Sequence, residues 1–72
     1  MKEVFKLTGI DCAACAAKAE RRIQKLKGIT SATYSFMTQK LTIDYTGERD
    51  AILTEVLAAC KKIDKAAEIR PY

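Results

Sequence analysis

Residues 32–45, with the sequence ATYSFMTQKLTIDY, decide the fold of this chain. Apolar and polar residues alternate on both sides of the connection at residues 37–40, which is the period of half-buried β-strands. The alternating apolar residues are Ala32, Tyr34, Phe36, Leu41, Ile43 and Tyr45. Because the connection between the two strands is so short, the stretch predicts a β-hairpin.

An amphipathic helix is predicted on each side of this hairpin. Before it, small or apolar residues recur every three or four positions over residues 13–27, and Gly28 is the expected C-terminal cap. After it, the same spacing continues over residues 52–63, with Asp50 as the expected N-cap. Two helices therefore flank the central hairpin.

Short strands are predicted at both ends of the chain. Residues 2–7 alternate and stop at Gly9, while residues 67–70 alternate and stop at Pro71, which indicates a sheet edge. The order β-α-β-β-α-β is that of the split βαβ arrangement. We therefore expect an α+β fold, a four-stranded antiparallel sheet with both helices on one face, as a single domain over residues 1–72.

Composition narrows the functional classes. A chain of 72 residues has little room for an enclosed cleft, so no catalytic activity is expected in it. The net charge of +4 is spread along the sequence rather than gathered in one basic tract, and no nucleic-acid partner is expected. With no apolar run of about 18 residues and no signal-peptide core, the chain is expected to be soluble. Its three cysteines, of which two are only two residues apart, favour reduced thiols and a cytoplasmic domain, which is expected to be monomeric in isolation.

The segment GIDCAAC at residues 9–15 joins the first strand to the first helix and carries the chemistry. Cys12 on the loop and Cys15 in the first helical turn bring two sulfurs about one turn apart, so that both can reach one ion. The positive end of the helix dipole favours the thiolate form. Since the chain has no histidine, sulfur and oxygen must bind any metal, and the motif predicts an open site for a soft or borderline ion.

Asp11 is the predicted third ligand of this site. Two thiolates suffice for Cu(I), whereas Zn(II), Cd(II) and Pb(II) take further donors, and a neighbouring carboxylate suits them better. The alternative is that Asp11 only caps the helix. Because the chain has no second CxxC motif, a closed four-ligand structural zinc site is excluded, and a delivery or regulatory site is favoured.

The cysteines have other interpretations that must be weighed. Cys60 lies on the apolar stripe of the second helix and is predicted to fill the core, with a third-ligand role as the alternative. A thiol–disulfide enzyme is the alternative for the CxxC pair, but the only proline, Pro71, is terminal rather than beside the motif. Lys61 and Lys62 are expected to be surface charges at the end of that helix, with screening of a negatively charged metal–thiolate centre as the alternative.

The stretch FKLTGIDCAAC at residues 5–15 resembles the GMxCxxC metal-binding loop of heavy-metal-associated domains. The resemblance continues through Gly28-Ile29, Ala32 and the strand at residues 41–45, and so covers nearly the whole chain. Asp11 and the run KKID at residues 61–64 are similar to the N-terminal domains of zinc-, cadmium- and lead-exporting P-type ATPases. Ile10 replaces the usual methionine, a substitution that preserves packing below the loop.

This resemblance implies a ferredoxin-like βαββαβ fold and a metal site of Cys12, Cys15 and, in the zinc-type branch, Asp11. The expected ion is Zn(II), or Cd(II) or Pb(II), and the expected partner is the rest of a membrane-embedded pump or a protein that exchanges the metal. The domain would regulate or feed an ATP-driven efflux pump from the cytoplasmic side of the plasma membrane. A free-standing metallochaperone, with Cu(I) as its cargo, is the alternative.

Overall fold

The computed structural model describes residues 1–72 and contains the six expected elements in the expected order. They are β1 (Lys2–Thr8), α1 (Ala13–Gln24), β2 (Ile29–Ser35), β3 (Lys40–Tyr45), α2 (Arg49–Lys61) and β4 (Glu68–Pro71). Neither helix is long and apolar enough to cross a membrane.

The four strands form one antiparallel sheet in the order β2-β3-β1-β4. Phe5 of β1 lies opposite Leu41 of β3, and Leu7 lies opposite Ile69 of β4, so the apolar residues share one face. β4 is an edge strand, and Pro71 is tolerated in it because a proline has no N–H to donate to a neighbour. The predicted edge position of this strand is confirmed.

Both helices pack on that apolar face and close a single core. The buried side chains of α1, α2 and one face of the sheet belong to one cluster, as expected for an α+β fold with helices on one side. Its members are Phe5, Leu7, Ile10, Ala16, Ala19, Ile23, Ala32, Leu41, Ile43, Tyr45, Ile52, Val56, Cys60 and Ala67. The predicted fold is therefore confirmed, and Ile10 packs into the core beneath the loop as expected.

Both predicted helix caps were wrong. α1 ends at Gln24, and Gly28 lies beyond it, where its φ of +91° turns the chain into β2. α2 begins at Arg49 with Glu48 as its N-cap, so that Asp50 lies inside the first turn. The spacing of apolar residues continues past the last helical hydrogen bond, which is why it predicted α1 to be longer than it is.

Two further boundaries differ because an apolar residue lies beyond the end of its element. Phe36 was predicted to end the second strand, but it lies in the turn after β2 and is 37% exposed. Ile63 was predicted in the second helix, but it follows the end of α2 and packs against the core from the next connection. Contact with a shared core therefore does not require a residue to be helical or extended.

Side chains of α1 cover the outer edge of β2. Glu20 accepts a hydrogen bond of 2.7 Å from the backbone N–H of Tyr34, and the Gln24 side chain donates one of 2.8 Å to the Ala32 carbonyl. These bonds satisfy groups that an edge strand would otherwise leave unpaired. They also fix the orientation of α1, whose first turn carries the cysteine motif.

Candidate metal centre

The cysteine motif lies where β1 ends and α1 begins. Cys12 is the N-cap of α1 with φ −124° and ψ 131°, and its carbonyl accepts the first helical bond from Ala16 at 2.9 Å. No side chain caps the helix, so the interpretation of Asp11 as a capping residue is wrong. The predicted arrangement of Cys12 before the helix and Cys15 inside its first turn is confirmed.

Gly9 holds this loop against the connection between α2 and β4. Its φ is +89°, and a Cβ at this position would collide with the backbone carbonyl of Ala66. A residue other than glycine would therefore be strained in φ and would push the two segments apart. Close backbone approach at Gly9 is the feature that sets residues 62–67 beside the motif.

The two cysteines of the motif differ in exposure and in acidity. The Cys12 thiol is exposed, and hydrogen bonds from the backbone N–H and then the side chain of Cys15 lower its pKa. Cys15 is half-buried, and the same side-chain hydrogen bond, followed by desolvation, raises its pKa. Cys12 is therefore the more acidic and the more exposed of the two thiols, and it is open to an incoming metal ion.

Two charged side chains have opposite effects on the pKa of Cys15. Asp64, in the connection after α2, raises the pKa of the Cys15 thiol, whereas Lys18, three residues further along α1, lowers it. The sequence predictions included neither residue in the site. The spacing of three between Cys15 and Lys18 is a signal that could have identified the lysine. The position of Asp64 depends on tertiary packing and has no local signal.

Asp11 is exposed and directly precedes Cys12 in the loop. The structure brings Cys12 and Cys15 together, but no group of three or more cysteine, aspartate or glutamate side chains is already close enough to hold a metal ion. Two thiols therefore form the assembled part of the centre, with Asp11 as an adjoining exposed carboxylate.

Cys60 lies in a different environment from the two cysteines of the motif. It is fully buried on α2 within the core cluster, and burial raises the pKa of its thiol to about 11. A fully buried thiol with that pKa stays protonated at neutral pH and packs as a small apolar side chain. The prediction that Cys60 fills the core is confirmed.

A ferredoxin-like sheet-and-helix layer with an open CxxC pair at the start of α1 defines a small metal-binding domain. A family model of the heavy-metal-associated domain matches residues 4–66. The chain belongs to the heavy-metal-associated domain family.

Relatives of the chain include pumps named for different metals. The copper-exporting P-type ATPase of Bacillus subtilis (strain 168) is 31% identical over 62 residues, which are 86% of this chain and 8% of the pump. The zinc/cadmium/lead-transporting P-type ATPase of Escherichia coli (strain K12) is 42% identical over 40 residues, 56% of this chain and 6% of the pump. The chain thus spans less than a tenth of the length of these two relatives.

A solved structure agrees with the fold over nearly the whole chain. The N-terminal domain of ZntA in its apo form is 31% identical, with a TM-score of 0.72, and the match covers 99% of this chain and 90% of that one. The relatives of this chain thus include pumps named for copper and pumps named for zinc, cadmium and lead.

Proposed function

We propose that this chain is a metal-binding domain that captures Zn(II), with Cd(II) or Pb(II) as related cargo, through Asp11, Cys12 and Cys15. The observation that carries the proposal is the position of Asp11. It directly precedes an exposed thiol of lowered pKa and is not used to cap α1. An exposed carboxylate next to Cys12 in the chain can supply the harder third donor, which suits a divalent ion better than Cu(I).

Capture begins at Cys12 and is completed by Cys15. The exposed Cys12 thiolate takes the ion first, and the ion then displaces the proton of Cys15. Asp11 closes on the ion from the loop as the third ligand. Because three ligands leave a divalent ion accessible, a partner that bears its own thiolates or carboxylates removes it by stepwise ligand exchange.

The domain acts in this proposal as a regulatory or delivery part of an ATP-driven efflux pump. Two relatives named as P-type ATPases support this, and each extends far beyond the length matched here. ATP hydrolysis and membrane attachment would belong to the remainder of such a pump, with this domain on the cytoplasmic side. The domain itself needs only to bind and release the ion.

An anaerobic titration of the reduced protein with Zn(II) against a chromophoric chelator tests the proposal. One equivalent bound at micromolar strength or tighter is expected, and Asp11→Ala should weaken Zn(II) binding while leaving Cu(I) binding unchanged. Asp50→Ala, in the first turn of α2, is the matched control and should bind like the wild type.

Two results would overturn parts of the proposal. Unchanged Zn(II) affinity in Asp11→Ala would remove the carboxylate from the ligand set. Failure of the wild type to bind Zn(II) would replace the divalent assignment with a Cu(I) carrier.

A further inference from the structure

Two charged side chains of opposite sign lie on the two segments that meet at the motif, Lys18 on α1 and Asp64 on the connection after α2. Lys18 lies three residues after Cys15 on α1 and lines an open groove with Ala14 of the motif. Asp64 approaches from the connection between α2 and β4, which packs against the motif at Gly9. The structure contains three ion pairs, and neither Lys18 nor Asp64 takes part in them.

Backbone hydrogen bonds hold Asp64 in place. Its N–H donates to the Cys60 carbonyl at 3.0 Å, and its own carbonyl accepts from the N–H of Ala67 at 3.1 Å. Its side-chain Oδ1 accepts from the N–H of Ala66 at 3.0 Å, and the residue is half-buried. The carboxylate is thus a fixed negative charge at the end of the sheet that carries the motif.

The charge left at the site depends on the ion that it binds. With two thiolates, Cu(I) forms a complex of net charge −1, whereas a divalent ion forms a neutral one. For the same number of protons released by the thiols, the site therefore carries one more unit of positive charge with a divalent ion than with Cu(I). A nearby negative charge favours the divalent ion in this comparison, and a nearby positive charge favours Cu(I).

We propose that Asp64 and Lys18 set the preference of this centre between divalent and monovalent ions through their charges, without binding the ion. Asp64 shifts the preference towards the divalent ion, and Lys18 shifts it towards Cu(I). The inference deepens the proposed function and rests on the ion site described there.

The test measures dissociation constants for Cd(II) and Cu(I) with competing chelators under anaerobic conditions. Cd(II) is the divalent probe because two thiolates bind it strongly. Asp64→Asn removes the charge but keeps the acceptor for Ala66, and Lys18→Gln removes the charge but keeps a good helix former. Asp50→Asn is the control, because the same charge is lost at the start of α2, at the far end of that helix.

In Asp64→Asn, the dissociation constant for Cd(II) divided by that for Cu(I) is expected to rise about 2- to 5-fold. In Lys18→Gln, the same ratio is expected to fall by a similar factor. The double variant should return close to the wild-type ratio, Asp50→Asn should leave it unchanged, and high salt should shrink both shifts. Since unfolding or loosening of the loop would weaken both ions together, only a charge effect moves the ratio in opposite directions.

Two results would overturn the inference. An unchanged ratio in both single variants would mean that neither charge reaches the bound ion. Loss of nearly all Cd(II) affinity in Asp64→Asn would make Asp64 a ligand instead. If the ratio moves as expected while the wild type fails to bind Zn(II), the inference holds and the proposed function fails.

Discussion

Gly9→Ala should be among the most damaging small substitutions in this domain. Gly9 has a φ of +89°, and a Cβ there would collide with the Ala66 carbonyl. The left-handed conformation costs a residue other than glycine about 1–2 kcal/mol. Relieving the collision requires a backbone shift, which adds about 1–3 kcal/mol by analogy with overpacked cores.

The sum of these two terms is about 2–5 kcal/mol. A domain of 72 residues, at about 0.05–0.15 kcal/mol per residue, has a total free energy of unfolding of about 4–11 kcal/mol. Gly9→Ala should therefore remove a large part of the free energy of unfolding, about half of it at the middle of both ranges. It should also weaken metal binding, because the shift separates the motif from the connection that follows α2.

Urea unfolding followed by circular dichroism measures the loss as a change in midpoint at constant slope. Gly47→Ala is the matched control, because Gly47 has a similar φ of +99° but no atom within 4 Å of the position of a Cβ. It should lose only the conformational term of about 1–2 kcal/mol. The difference between the two variants then isolates the contact between Gly9 and Ala66.

Equal losses in the two variants would refute this reasoning. Equal losses would mean that the loop at Gly9 and the connection at Ala66 separate at no cost in free energy, and that Gly9 is needed only for its backbone conformation. The placement of Asp64 beside the motif would then lose its structural basis.

Two further predictions concern acidity. Iodoacetamide should modify Cys12 first and leave Cys60 unmodified in the folded protein. The reason is that Cys12 is exposed and has a lowered pKa, while Cys60 is buried and has a pKa of about 11. Mass spectrometry of the labelled peptides checks the order, and equal rates of modification would contradict it. Hydrogen bonds from Tyr45 (2.7 Å) and Arg49 lower the pKa of Glu3 below its ordinary value of 4.5. The ionised Glu3 side chain therefore stabilises the fold above pH 4.5, and this contribution is lost as the pH falls through the lowered pKa of the folded state. Tyr45→Phe should flatten the acid dependence of urea midpoints, and an unchanged dependence would contradict this.

The alternation of apolar residues made the strands and their faces predictable. Phe5 and Leu7, like Leu41 and Ile43, are buried as their period requires, because a strand places alternate side chains on one face. Helix ends were less predictable. Local residue preferences compete there with tertiary contacts, and Gly28 serves the entry to β2 rather than the cap of α1.

The paired cysteines were predictable because their partnership is local. Three positions separate Cys12 from Cys15, so the start of a helix suffices to bring them together. The burial of Cys60 was predictable for a similar reason, since it lies on the apolar stripe of a helix. The surroundings of Cys15 include Asp64, 49 positions further along the chain, and no periodicity links the two residues.

The order of the six elements, the apolar faces and the local pair of sulfurs could be predicted from the residues alone, because each depends on spacings of two to four residues. The charges near those sulfurs and the ends of the helices depend instead on how the elements pack together. The packing of Gly9 against Ala66 brings distant segments together, and the resulting electrostatic environment depends on distances through space rather than along the chain.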